Sequence, residues 1–206
     1  MQKNRFSAFK QDTNVIRQES SVQGFINLIR SRSNEHAVAF SRVHDLPGTM
    51  MSILRQELDS LIRVLFLLSM PDLDEKKRLM SKTLAGERWT VKTPNGKFSF
   101  VTDAMMVEVS EKFVGWARSV YEFGCAFVHL SNFHGYHSSN PLSTVSDEEK
   151  TDILSHMRHY HGGPANDNPT FDEFAQYFPQ VFEKVRGNLE CYLEDLATEV
   201  GPEHVL

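Results

Sequence analysis

TMMSILRQELDSLIRVLFLLSMP, residues 49–71, decides the fold class. Met50, Ile53, Leu54, Leu58, Leu61, Leu65 and Leu68 recur at the 3.6-residue period of one helix face. Asp59 and Arg63 sit four apart on the polar side, where opposite charges support a helix. Thr49 is the expected N-cap, and Pro71, which cannot donate to a preceding carbonyl, is the expected stop.

The same period holds upstream, where Val15, Val22, Phe25, Ile26, Ile29, His36, Phe40 and Val43 predict a helix over Asp12 to His44. The polar run RSRSNEH inside it is a candidate break, and Leu46-Pro47-Gly48 is its expected end. Downstream, Asp72 with Glu75 resembles a capping box for a short helix ending at Leu84 before Gly86. Period-two alternation then appears in Arg88-Trp89-Thr90-Val91 and Phe98-Ser99-Phe100-Val101. Asn95-Gly96 lies between them, a hairpin signal over 88–101. An isolated hairpin is marginal in water, so this one is expected to be an insertion packed on helices.

Asp103 is the expected cap of a long helix. Its face carries Met106, Val109, Phe113, Trp116, Val120, Gly124, Phe127, Ser131 and His134, about 50 Å if unbroken, with a break in its middle as the alternative. Gly124 on that stripe permits close approach of another helix. After a polar loop at 138–146, Ser146 and Glu149 form a capping box for a helix to about Tyr160. A second loop spans 162–170. Thr170 with Glu173 then caps a last helix striped by Phe171, Phe174, Phe178, Phe182, Val185, Leu189, Tyr192, Leu193 and Leu196, with Pro179 kinking or splitting it. The expectation is an all-α bundle of about five or six helices with one inserted hairpin, a single domain over 1–206. Its core should hold Leu54, Leu58, Leu61, Leu65, Phe113, Val120, Phe127, Phe182 and Leu189.

The bulk numbers fit such a domain. The 206 residues are 40% apolar, with 15 Phe, and 24% charged, which supplies a core and argues against wholesale disorder. A formal net charge of −5 removes a chain-wide basic field for nucleic acid. Cys125 and Cys191 lie far apart in apolar helical patterns, as small core residues of a reducing compartment would. The N-terminus has no apolar signal core, and the longest apolar run, Val64–Met70, is too short to span a bilayer. A cytoplasmic protein without membrane partners is expected.

Groups able to do chemistry concentrate in FVHLSNFHGYHSSNP, residues 127–141. It holds His129, His134, His137, Tyr136 and Ser131; His156, His159 and His161 follow in HMRHYHGG. His134 and His137, three apart, could share a metal with His156 or His159. No Glu-x-x-His or HExxH set accompanies them, so no metal or other cofactor is expected. There is no Gly-x-Ser-x-Gly elbow around Ser131, no P-loop and no dinucleotide fingerprint. Cys125, between Gly124 and Ala126-Phe127, reads as a packed thiol. Arg118, Glu122 and His129 share one helix stripe, either as a surface ion pair with a histidine beyond it or as a polar seam at a partner interface.

The window His129-Leu-Ser-Asn-Phe-His134-Gly-Tyr136 within a helical bundle resembles the active motif of the HEPN superfamily. In that motif an Arg is followed, four to six residues on, by His and in one subgroup by Tyr two residues later. LSNFHGYHSS is also similar to the Leu-Ser-x-x-x-His segment of helical domains related to that superfamily. His134 and Tyr136 occupy the motif's places, and the arginine place holds His129. The resemblance implies a homodimeric, metal-independent ribonuclease of a prokaryotic defence or toxin system. His134 would be its acid–base group, Tyr136 would orient, and His129 or Arg118 would supply positive charge to phosphate. Two other readings stand beside it: a non-catalytic helical dimerisation or protein-interaction module, and a histidine-cluster metal site.

Overall fold

The computed structural model describes the backbone of residues 3–93, 95–128, 141–143 and 145–200. It describes side chains over 21–125 except 94, and over 142–200 except 144. Helix α1 (Lys3–Arg42) runs unbroken through RSRSNEH. Then come α2 (Pro47–Leu68), α3 (Leu73–Leu84), strands β1 (Thr90–Lys92) and β2 (Phe98–Phe100), α4 (Asp103–Ser110), α5 (Ala117–Val128), a 3₁₀ turn at Pro141–Ser143, α6 (Asp147–His161), α7 (Phe171–Ala175) and α8 (Phe178–Val200). This is the all-α bundle with one inserted hairpin that the periodicity predicts.

The stripe of α2 is the centre of the core. α2 packs against α1, α4, α5 and α8. It therefore buries residues all round, including Ile62, Val64 and Leu67 off the expected face. A helix enclosed by neighbours needs apolar residues on every side. Most polar groups that enter with it are paired, but Arg55 Nε meets no hydrogen-bond partner among the described residues. Glu57, fully buried, accepts from Ser33 Oγ at 2.5 Å and meets His36 Nδ1 at 2.6 Å, which ties α2 to α1. Arg63 Nε donates to Asp59 at 2.9 Å. At the far side the buried Lys76 of α3 pairs with Glu199 of α8.

The caps largely follow the sequence. Ser146 with Glu149 and Thr170 with Glu173 are complete capping boxes. Asp72 accepts from the amides of Asp74 and Glu75, while the Glu75 carboxylate turns to Arg78. Gly86 and Gly162, at φ 70° and 78°, end α3 and α6. Two caps differ from expectation. α2 begins at Pro47, whose fixed φ suits a first turn, so Thr49 lies inside the helix. Thr102 rather than Asp103 caps α4, its hydroxyl accepting from the Met105 amide at 3.3 Å. This frees the Asp103 carboxylate to face Arg55 at 3.3 Å and Arg63 at 3.9 Å.

The long helix expected after Asp103 is broken at 111–116. The amides of Phe113 and Val114 both turn back to the Ser110 carbonyl, and Gly115 follows. The break resets the helical phase. Met106, Val107 and Ser110 face inward, and Phe113 is turned out, edge-on to Tyr192 at 6.1 Å. Leu54, Leu58, Leu61, Leu65, Phe182 and Leu189 are buried as expected, and Val120 is partly so. Phe127 lies outside the described side chains. Cys191 is exposed, because it falls between the buried Leu189 and Leu193 on α8, and Cys125 is half-buried.

Candidate functional site

His129, Ser131, His134, Tyr136 and His137 lie outside the described residues. What can be placed is the helix that leads to them. Arg118, on the first turn of α5, is exposed and already engaged. Its Nε and Nη2 each donate to the Glu111 carboxylate at 2.8 Å, and Nη1 is 3.8 Å from Glu122. The hydrogen bonds from Arg118 hold the Glu111 carboxyl below its usual range, and the Glu111 carboxylate raises the Arg118 guanidinium above its own. The i,i+4 pair with Glu122 read from the sequence is present; the stronger, bidentate partner comes from the break between α4 and α5, which periodicity did not show.

Beneath α5 lies a second arginine that sequence reasoning passed over. Arg55 of α2 is 9% exposed. Its stem runs against Gly124, and its guanidinium lies 4.0 Å from the Tyr121 ring centroid and 3.3 Å from Asp103. Burial alone would lower its pKa, but hydrogen bonding and charge interaction with Cys125, helped by Asp59 and Tyr121, raise it overall. The Tyr121 hydroxyl is pushed up, first by burial and then by Cys125, against the opposing pull of Arg55. Gly124 was the available signal, since a glycine on a buried stripe marks a close approach; the residue approaching it was not legible.

The second histidine group sits on α6 beside an apolar cleft of about 50 Å³. Its walls include Met51 and Leu54 of α2, Val120 and Phe123 of α5, and Phe178 and Val181 of α8. His156, Tyr160, His161 and Lys184 stand at its edge. His156 Nδ1 donates to the Asp152 carbonyl at 3.0 Å, which fixes that nitrogen as the protonated one. His159 meets Tyr160 edge-on at 4.5 Å. Lys184 Nζ lies 2.9 Å from the Tyr160 ring centroid and 5.2 Å from that of Trp116. Burial brings its pKa down to about 8, although both ring faces favour the cation. Burial, with Lys184 adding to it, also lowers His161. Among the described residues no three His, Cys, Asp or Glu side chains converge as a metal set would, and no helix is long and apolar enough to cross a membrane. The chain matches no family model, no curated protein and no solved structure.

Proposed function

We propose that the chain is a HEPN-like helical-bundle protein of prokaryotic defence or toxin type. In this reading it acts as a cytoplasmic homodimer that cleaves RNA without a metal. The observation that carries the reading is the sequence window His129 to Tyr136, which follows α5 directly in an all-α bundle. The chemistry needs a base for the 2′-hydroxyl proton and an acid for the leaving 5′-oxygen. Histidine, with an ordinary pKa near 6.5, serves either role at neutral pH. His134 is the principal acid–base group, Tyr136 orients it or the phosphate, and His129 supplies charge. Arg118 joins them only by exchanging Glu111 or Glu122 for a phosphate oxygen, because both carboxylates now hold it.

A second reading, a non-catalytic dimerisation or protein-interaction module, is favoured by that same pairing of Arg118 and by the net charge of −5. The two separate in one experiment. Wild type and His134→Ala, purified in parallel, are incubated with mixed-sequence single-stranded RNA in excess EDTA. Cleavage by wild type alone supports the ribonuclease. Cleavage by neither, from protein that sediments as a dimer, supports the module, and equal cleavage by both marks a contaminant.

A further inference from the structure

The hairpin carries aromatic rings on the wrong face for a structural insertion. In the β1–β2 pairing Thr90 is opposite Phe100, Val91 opposite Ser99 and Lys92 opposite Phe98. Strand alternation sends one set of side chains inward and the other outward. Trp89 is buried and donates its indole N–H to Thr83 at 2.8 Å, and Val91 and Val101 pack on the core. The outer face is therefore Arg88, Thr90, Lys92, Phe98 and Phe100. Phe98 is 67% exposed and Phe100 51%. Exposed apolar side chains are common singly, but two adjacent rings at positions where alternation calls for polar residues form a patch.

Within the hairpin itself the charge has one sign. Residues 88–100 contain Arg88, Lys92 and Lys97 and no Asp or Glu, in a chain of net charge −5. Among the described residues, ion pairs to carboxylates tie up Arg78 and Lys82 next door, but none forms to Arg88, Lys92 or Lys97. The Arg88 guanidinium instead lies 4.2 Å from the Phe100 ring centroid, and that of Arg78 lies 5.9 Å from Phe98.

We propose that this outer face is a docking platform for single-stranded RNA: Phe98 and Phe100 stack on bases while Arg88, Lys92 and Lys97 take the phosphates. Flat apolar rings beside uncompensated cations complement a polyanion that offers flat rings of its own. Side chains two apart on β2 stand about 6.8 Å from one another. That is twice the ~3.4 Å spacing of stacked bases, so each ring meets a separate base of an extended strand. A duplex keeps its base faces inside and offers none. The choice of RNA over DNA rests on the ribonuclease reading; the platform itself does not involve His134.

The test is fluorescence anisotropy with a labelled single-stranded RNA of about twelve nucleotides, on the 206-residue chain carrying His134→Ala so that the probe stays intact. Phe98→Ala/Phe100→Ala is expected to weaken binding about tenfold for each ring lost. Phe98→Leu/Phe100→Leu, which keeps apolar bulk without a π face, is expected to weaken it nearly as much. Lys92→Gln/Lys97→Gln should lower the salt slope of log K by about 1.4 between ~50 and ~200 mM salt. Unchanged melting by circular dichroism shows that these surface variants fold. The platform is overturned if the alanine or leucine pair binds as the parent does, or if duplex RNA binds as tightly as single-stranded RNA. It is also overturned if the alanine pair loses only self-association. Tighter binding of single-stranded DNA overturns the choice of RNA. Binding that depends on both rings in a protein that never cleaves leaves the platform standing and removes the ribonuclease reading, and cleavage indifferent to the rings does the reverse.

Discussion

Replacing Gly124 by alanine sets two effects of similar size against each other, and the structure decides which wins. Taken alone, glycine to alanine inside a helix stabilises by about 0.8–1.0 kcal/mol, because the unfolded chain loses less freedom. The new methyl would stand 3.0, 3.1 and 3.3 Å from Cβ, Cδ and Cγ of Arg55. Ordinary carbon contacts are about 3.5–4.0 Å, so the arginine stem must move. Its head restrains it, lying on the Tyr121 ring and beside Asp103. Overpacking of this kind costs about 1–3 kcal/mol. The expected net result is a loss of up to about 2 kcal/mol for Gly124→Ala in the wild-type chain. In an Arg55→Gly background all three of those atoms are gone, and the same substitution should gain close to 1 kcal/mol. Urea unfolding of the four proteins, followed by Trp fluorescence and by circular dichroism, gives the double-mutant cycle. A coupling energy of about 1–3 kcal/mol is expected. If Gly124→Ala stabilises both backgrounds equally, α5 does not press on Arg55 as described.

Leu61, buried at the centre of α2, should cost about 2–5 kcal/mol when cut to alanine, read by the same unfolding assay; a loss below about 0.5 kcal/mol refutes its place in the core. Lys184 gives a pH signature. Its pKa, about 8 when folded, lies below the ordinary 10.5, so between those values the unfolded chain binds more protons and stability rises with pH. Lys184→Met should remove that rise relative to wild type across pH 8 to 10.5, and identical pH dependence of the two refutes the burial of the ammonium. Excess EDTA should leave the melting temperature unchanged, and elemental analysis should find no stoichiometric transition metal. About one zinc, iron or nickel per chain would instead promote a site using His134, His137 and His159.

Much of the fold was legible because its signals are local. The α2 stripe, both Ser/Thr–Glu capping boxes, the glycine stops and the Asn95-Gly96 hairpin each follow from residues within a few positions of one another. Features that depend on phase or on distant partners were not. Nothing before Gly115 marks where the long helix breaks, so the periodic stripe runs across residues 111–116 and predicts Phe113 inside. The apolar surroundings of Cys191 predict a core position, yet a step of two residues from Leu189 turns a side chain away from the buried face of α8. Of the candidate site, Arg118 and Glu122 were found as neighbours, but the bidentate Glu111 comes from across the break. Arg55 was hidden for a similar reason: an arginine inside a stripe looks like an exposed interruption until four neighbouring helices surround it.

The central claim is the chemistry assigned to His134, and the ends of the RNA products test it most directly. Attack by the 2′-oxygen on the adjacent phosphorus breaks the bond to the 5′-oxygen. It transfers one proton to the base and another from the acid to the leaving group. The products must then be a 2′,3′-cyclic phosphate and a 5′-hydroxyl. Mass spectrometry of a defined single-stranded RNA, incubated with the wild-type protein in excess EDTA, should find that pair of ends. They should be absent with His134→Ala and absent when the residue 5′ to the cut carries no 2′-hydroxyl. Cleavage of the 2′-deoxy substrate, 3′-hydroxyl products with 5′-phosphates, or the same products from His134→Ala would contradict the account.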